Sequence, residues 1–192
     1  MGKIIISENV TLDGVIQDAT AGSSFRHAGW FDRSLGQDRA AWADAEFQEA
    51  RSAEALLLGR RTYEYFVAVG WQSRPGAWAD TLRSLPKYVV SATLDELSWD
   101  NTTVLAGDFA AVVSELKDKL DGDIVVYGSG QLAHALIEHD LADEVRLMVF
   151  PCVLGDGERL FAALSDEKAM RLAGTRTVGN GLVHLTYRAA AA

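Results

Sequence analysis

Residues 123–139 read DIVVYGSGQLAHALIEH. The short apolar run 124–127 is cut off by Gly128-Ser129-Gly130, and Leu132, Ala133, Leu136 and Ile137 follow at helical spacing. That order predicts a strand, a tight turn and a helix. Glycine lets the backbone turn sharply and lets a ligand approach where a Cβ would obstruct it, and the helix beyond offers unpaired N–H groups and the positive end of its dipole. Anions bind well in such a turn, although the same pattern also serves a connection that simply needs glycine. Gly128, Gly130 and Ala133 fit G-x-G-x-x-A, but in the doubly wound dinucleotide fold the next strand ends in a ribose-binding carboxylate. Here the next strand runs to Phe150-Pro151. The stretch therefore reads as a phosphate turn in some other α/β sheet.

A second junction of this kind lies upstream, where Gly59-Arg60-Arg61-Thr62 separates the apolar run 55–58 from a helical segment, 61–68. Two guanidiniums beside a helix N-terminus combine charge, paired donors and backbone N–H groups, as a phosphate ester or pyrophosphate requires. Ser91-Ala92-Thr93 follows a third buried run, 87–91. Parallel strands present their carboxyl ends on one edge of a sheet, so three such turns point to an extended ligand carrying several phosphates.

The remaining elements extend outward from these. Residues 3–7 form a β-branched strand leading to the turn Thr11-Leu12-Asp13-Gly14, and 17–29 form a polar, glycine-bearing loop of the sort that covers ligands or merely crosses the surface. A long helix is expected over 32–53, a short one over 77–84, a strand over 102–105, and a helix capped by Asp108 running to about Leu120. Residues 144–150 form another strand and 151–161 a glycine-bearing connection. Residues 170–178 and 182–188 pair as a hairpin across Gly179-Asn180-Gly181. The result is one α/β domain over residues 1–192, with a mostly parallel sheet and an antiparallel end.

Composition agrees with a single globular unit. The 192 residues are 48% hydrophobic and 23% charged, enough to bury roughly 70% of the unfolded surface. The lone Cys152 excludes an internal disulfide and a cysteine-built zinc site. No apolar run suits a signal peptide or a membrane span, so a cytoplasmic protein is expected. A net charge of −9 opposes nonspecific binding to nucleic acid or an anionic membrane.

Taken in order, Thr11-Leu12-Asp13-Gly14, Leu57 through Glu64 (LLGRRTYE), Val89-Val90-Ser91, Tyr127-Gly128-Ser129-Gly130 and Pro151 with Gly155-Asp156-Gly157 resemble the dihydrofolate-reductase-like superfamily. Within it they resemble the branch containing the reductase domain of bacterial riboflavin biosynthesis, the C-terminal domain of the bifunctional deaminase-reductase. The resemblance implies a three-layer α/β/α fold on a mixed eight-stranded sheet ending in an antiparallel hairpin. It also implies NADPH as cofactor and a homodimer. By motif, Gly59, Arg60, Arg61 and Thr62 would hold cofactor phosphates, Ser91 and Thr93 the adenosine end with its 2′-phosphate, and Gly128, Ser129, Gly130 and Gln131 the pyrophosphate. Ile16 would lie near the nicotinamide.

Two features bear on substrate. Dihydrofolate reductases grip the pterin with a carboxylate on the first long helix, and counting back from Gly59 arrives within one residue of Asp44. Tyr127 stands where riboflavin-pathway reductases carry glutamate. Neither substrate follows directly. Asp44 and Asp13 are the candidate proton donors, set against plain roles as an exposed helix acid and a turn former. Trp30 and Phe31 suit either stacking on a flat substrate or core packing. The four histidines show no metal-ligand spacing, and no activated nucleophile is apparent. The sequence thus points to an NADPH-dependent reductase of a small planar heterocycle or other C=N or C=O substrate. The alternative is an NADPH- or nucleotide-binding protein without turnover.

Overall fold

In a computed structural model that describes residues 1–17, 24–161 and 164–190, the chain forms eight strands and six α-helices. The strands are β1 (Lys3–Thr11), β2 (Ala53–Gly59), β3 (Lys87–Val90), β4 (Thr102–Leu105), β5 (Asp123–Tyr127), β6 (Glu144–Phe150), β7 (Met170–Val178) and β8 (Leu182–Ala189). The helices are α1 (Trp30–Leu35), α2 (Arg39–Ser52), α3 (Arg60–Ala68), α4 (Ala77–Ser84), α5 (Phe109–Lys119) and α6 (Gly130–Glu138). All eight strands join one sheet in the order β4-β3-β2-β5-β1-β6-β8-β7. The first six run parallel, and β8 lies antiparallel to both β6 and β7.

Both faces of the central sheet are covered because its strands are apolar on both sides. Ile4, Ile6, Leu57 and Val126 pack under α5 and α6. Leu56, Leu58, Val89 and Val125 pack on the opposite face with Ala50 of α2 and Leu82 of α4. A third cluster, Trp30, Phe31, Leu35, Met148 and Phe150, joins α1 and α2 to the antiparallel end. Trp30 and Phe31 are therefore core residues, with the Trp30 ring 5.4 Å from that of Phe150.

Two elements differ from the sequence expectation. The first strand extends four residues past Ser7, because Glu8–Thr11 continue to pair with β6 after the apolar run has ended. The long helix over 32–53 is interrupted by a 3-10 turn at Gly36–Asp38. Gly36 adopts φ +48, and Asp38 turns its carboxylate onto the hairpin, accepting from the N–H of Asn180 at 2.8 Å and of Gly181 at 2.9 Å. The break is a tertiary fastening that local helix propensity does not reveal. Asp108 caps α5 as expected, accepting from the N–H of Ala111.

Lys87, wholly buried at the start of β3, closes the end of α4. Its Nζ donates to the carbonyls of Leu82, Arg83 and Leu85 at 2.9, 3.1 and 2.7 Å and lies 4.7 Å from the Trp99 ring centroid. Lys87→Met keeps the stem and strands the carbonyls of Leu82 and Leu85, while that of Arg83 keeps Asn101 Nδ2 at 3.3 Å, so a loss of about 2–4 kcal/mol is expected. Urea unfolding checks this as a lower midpoint at unchanged slope.

Candidate functional site

The sheet opens at its carboxyl edge. β5 pairs with β1 only as far as Ser7↔Tyr127, then leaves the sheet through Gly128 (φ +57) and Ser129 (φ +65) to enter α6. β1 continues beside β6 alone, so the backbone past Ser7 borders a gap. The end of β2 lies close by, where Gly59 leads into α3. Ser129 ties the two turns together, its Oγ accepting from the Gly59 N–H at 3.0 Å.

Close approach here depends on missing side chains. A Cβ on Gly59 would stand 3.4 Å from Ser129, and one on Gly128 would meet Thr62 at 3.6 Å. A Cβ on Gly130 would come within 2.6 Å of Ile16 Cδ1. Neither α3 nor α6 has a side-chain cap, so both helix N-termini are left to present backbone N–H groups outward.

These turns line one cleft of about 570 Å³. Gly59, Arg60, Arg61, Thr62, Gly128, Ser129, Gly130, Gln131 and Ile16 all border it. Ser91 and Thr93 stand just past its Val90 wall and reach it through Arg60, which donates from Nη1 to Thr93 Oγ1 and pairs through Nε with Glu64 at 2.7 Å. Ser91 Oγ accepts from the Thr93 N–H. Arg61 is exposed and has no hydrogen-bond or ion-pair partner among the described residues. The cleft is thus polarised, with guanidiniums at one end and Ile16 at the other.

The two proposed proton donors lie elsewhere. Asp44 is exposed on α2, and its hydrogen-bond partner is Gln48 on the same helix. It does not border the cleft, because two residues on, about 200° further round the helix, it is Glu46 that points inward. Asp13 is committed to the β1 turn, accepting from Thr11 Oγ1 at 2.7 Å and from the N–H groups of Leu154 and Gly155, with Arg159 3.5 Å away. The Thr11 hydroxyl above all, aided by those N–H groups, holds its acidity near 2. A carboxyl so acidic carries no proton at neutral pH. It fastens the first loop to the 151–161 connection. Of the 17–29 loop, read as either a ligand cover or a plain surface crossing, residues 18–23 lie outside the described residues.

Glu8, absent from the sequence candidates, borders the Ile16 end of the cleft. It is 7% exposed, and its Oε1 is buried with no hydrogen-bond partner among the described residues. Burial chiefly, with the neighbouring Glu158, pushes its pKa up to about 8. The available signal was its alternation with Ile4, Ile6 and Val10, which puts a carboxyl on an otherwise apolar strand face. Glu46 is also pushed well above the usual carboxylate range, by burial first and then by Glu49 and Glu8. It borders a separate cavity of about 510 Å³ between α2 and the hairpin, where Arg146 bridges Glu49 and Glu144 at 2.9 and 2.7 Å.

The architecture is that of the dihydrofolate-reductase-like α/β class. Among solved structures it is similar to a putative riboflavin biosynthesis protein from Shewanella sp. PV-4, with TM-score 0.69 and 20% identity over 98% of this chain and 99% of that one. It is also similar to dihydrofolate reductase from Enterococcus faecalis, complexed with NADP(H), with TM-score 0.63 and 15% identity over 98% of this chain and 97% of that one. At the level of sequence it is 28% identical to the uncharacterized protein YyaP of Bacillus subtilis (strain 168), over 96% of this chain and 94% of that protein. The RibD C-terminal domain model matches residues 2–184, and the chain belongs to that family.

Proposed function

We propose that the chain is an NADPH-dependent reductase acting on a small planar heterocycle or another C=N or C=O substrate. The observation that carries this reading is the joined pair of phosphate turns, in which two uncapped helix N-termini and two guanidiniums face one cleft that ends at Ile16. Arg60, Arg61 and Thr62 would hold phosphates from the α3 side, and Gly128, Ser129, Gly130 and Gln131 would hold them from the α6 side. Arg60, held by Thr93 beside Ser91, would meet a 2′-phosphate at the rim together with them. Bound NADPH supplies hydride; the protein supplies orientation and excludes water. Family membership and the NADP(H) complex of the similar Enterococcus faecalis enzyme support the same reading.

The test is fluorescence titration with NADPH and NADH, followed by cofactor oxidation assays over pterin, pyrimidine and simple imine or carbonyl substrates. Saturable NADPH binding with turnover is expected. Binding without oxidation of any substrate would favour a nucleotide-binding protein, and absence of binding would reject the site.

Gly130 gives a sharper test. A Val side chain there must displace Ile16 from the turn, so Gly130→Val is expected to weaken NADPH binding at least ~10-fold while the chain still folds. Gly130 begins α6 and has no positive φ, so the effect is one of occupied space. Calorimetric titration of the folded variant decides it, and wild-type affinity would reduce the turn to a connection.

A further inference from the structure

Glu8 is the buried ionisable group whose place in the fold the phosphate-binding reading does not explain. It is the first β1 residue past the last β1–β5 pair, so it sits where the sheet has opened, on the face covered by α5 and α6. Along that face its neighbours Ile4, Ile6 and Val10 are core residues. A carboxyl buried there without a partner costs stability, and none of the hydrogen bonds or ion pairs among the described residues relieves it. The charged group beside it is itself an acid, Glu158 from the 151–161 connection, while Glu46 of α2, itself offset by Arg176, feels the Glu8 charge from the opposite face of the sheet. Ile16, Gly130 and Glu158 enclose the same end of the cleft, where Glu158 Oε1 would lie 3.8 Å from a Gly130 Cβ.

We infer that Glu8 is the acid that protonates the substrate of this reductase. The inference rests on the NADPH-reductase reading, which sets phosphates at the Arg60–Arg61 end and the ring at the Ile16 end. Hydride adds to the carbon of a C=N or C=O bond, the π pair moves to nitrogen or oxygen, and that atom takes the proton from the Glu8 carboxyl. NADPH leaves as NADP⁺ and Glu8 as carboxylate, to be reprotonated from solvent past the exposed Glu158. Burial among apolar groups beside Glu158 suits this role, because it keeps Glu8 protonated at neutral pH where an ordinary carboxyl would already be spent.

The experiment follows the Glu8 side-chain carboxyl by NMR in protein labelled with ¹³C-glutamate, the resonance being assigned by its loss in Glu8→Gln. Glu8 is expected to titrate near pH 8 in the free protein. NADP⁺ and NADPH carry the same phosphates and differ in ring charge, so a ring placed against Glu8 should make it at least ~10-fold more acidic with NADP⁺ than with NADPH. With a turned-over substrate, Glu8→Gln should lower kcat about 100-fold and leave the NADPH dissociation constant within about twofold. Titration in the ordinary carboxylate range, or equal midpoints with both cofactors, overturns the assignment, as does full turnover by Glu8→Gln. A wild-type protein that binds no NADPH fails the reductase reading itself. One that binds NADPH and shows equal midpoints fails only the role of Glu8.

Discussion

Replacing Arg60 and Arg61 together with alanine is expected to raise the NADPH dissociation constant at least ~100-fold. A charge-assisted hydrogen bond to phosphate is worth about 1.5–3 kcal/mol, or roughly tenfold to a hundredfold in affinity, and two such losses add approximately when the residues contact different groups. The two arginines are unequally prepared. Arg60 is held by Glu64 and Thr93, so little side-chain entropy is lost when a phosphate arrives, whereas Arg61 has no partner among the described residues and must be ordered by the ligand. The site is half exposed at this end, and high salt should therefore reproduce part of the loss. Titrating each single variant with NADPH and NADH separates the contacts. Arg60→Ala should lose NADPH selectively, because Arg60 reaches the Ser91–Thr93 rim. Arg61→Ala should weaken both cofactors alike. No loss for either cofactor in the double variant would remove the arginines from the site.

The second large effect is on stability. Glu8 titrates at about 8 in the folded chain against an ordinary 4.5, so between these limits the folded state holds a proton that the unfolded chain releases. The sign follows from linkage: stability falls as pH rises wherever the folded state binds more protons. The contribution is complete below about pH 4.5 and is lost as pH rises through about 8, by as much as about 5 kcal/mol at 1.36 kcal/mol per unit. That is comparable to the whole stability of many domains. Glu46, shifted in the same direction, adds to the slope. Asp13 acts oppositely: its stabilisation is present above its ordinary 3.8 and is lost as pH falls toward 2. Urea midpoints at pH 5.5, 7 and 8.5 should decline for the wild type. In Glu8→Gln they should decline much less, because a neutral amide has no proton to lose. Parallel declines in the two proteins would show that Glu8 ionises without penalty.

Much of the scaffold was legible from local pattern. The strand–turn–helix units read at 55–68 and 123–139, the Asp108 cap and the 170–188 hairpin follow from apolar periodicity and from glycine at turns, and the structure shows each to within two residues. Where local pattern failed, a distant segment was responsible. The helix break at Gly36–Asp38 serves the hairpin turn more than 140 positions later, and the last four residues of β1 are polar enough to resemble a loop until β6 lies beside them.

The cleft divides along the same line. Phosphate-binding character is a property of short segments: a glycine turn, the start of a helix and adjacent arginines carry their N–H groups and charge wherever the chain places them, so Arg60, Arg61, Gly128 and Gly130 stood out in the bare sequence. The state of an acid is not local. Asp13, Asp44, Glu8 and Glu46 are similar carboxyls along the chain, and they differ because Thr11 and two backbone N–H groups hold Asp13 ionised, the curve of α2 turns Asp44 outward and Glu46 inward, and the departure of β5 at Gly128 opens a gap beside Glu8. Desolvation and neighbouring charge set proton affinity, and both are supplied by residues far away in the sequence.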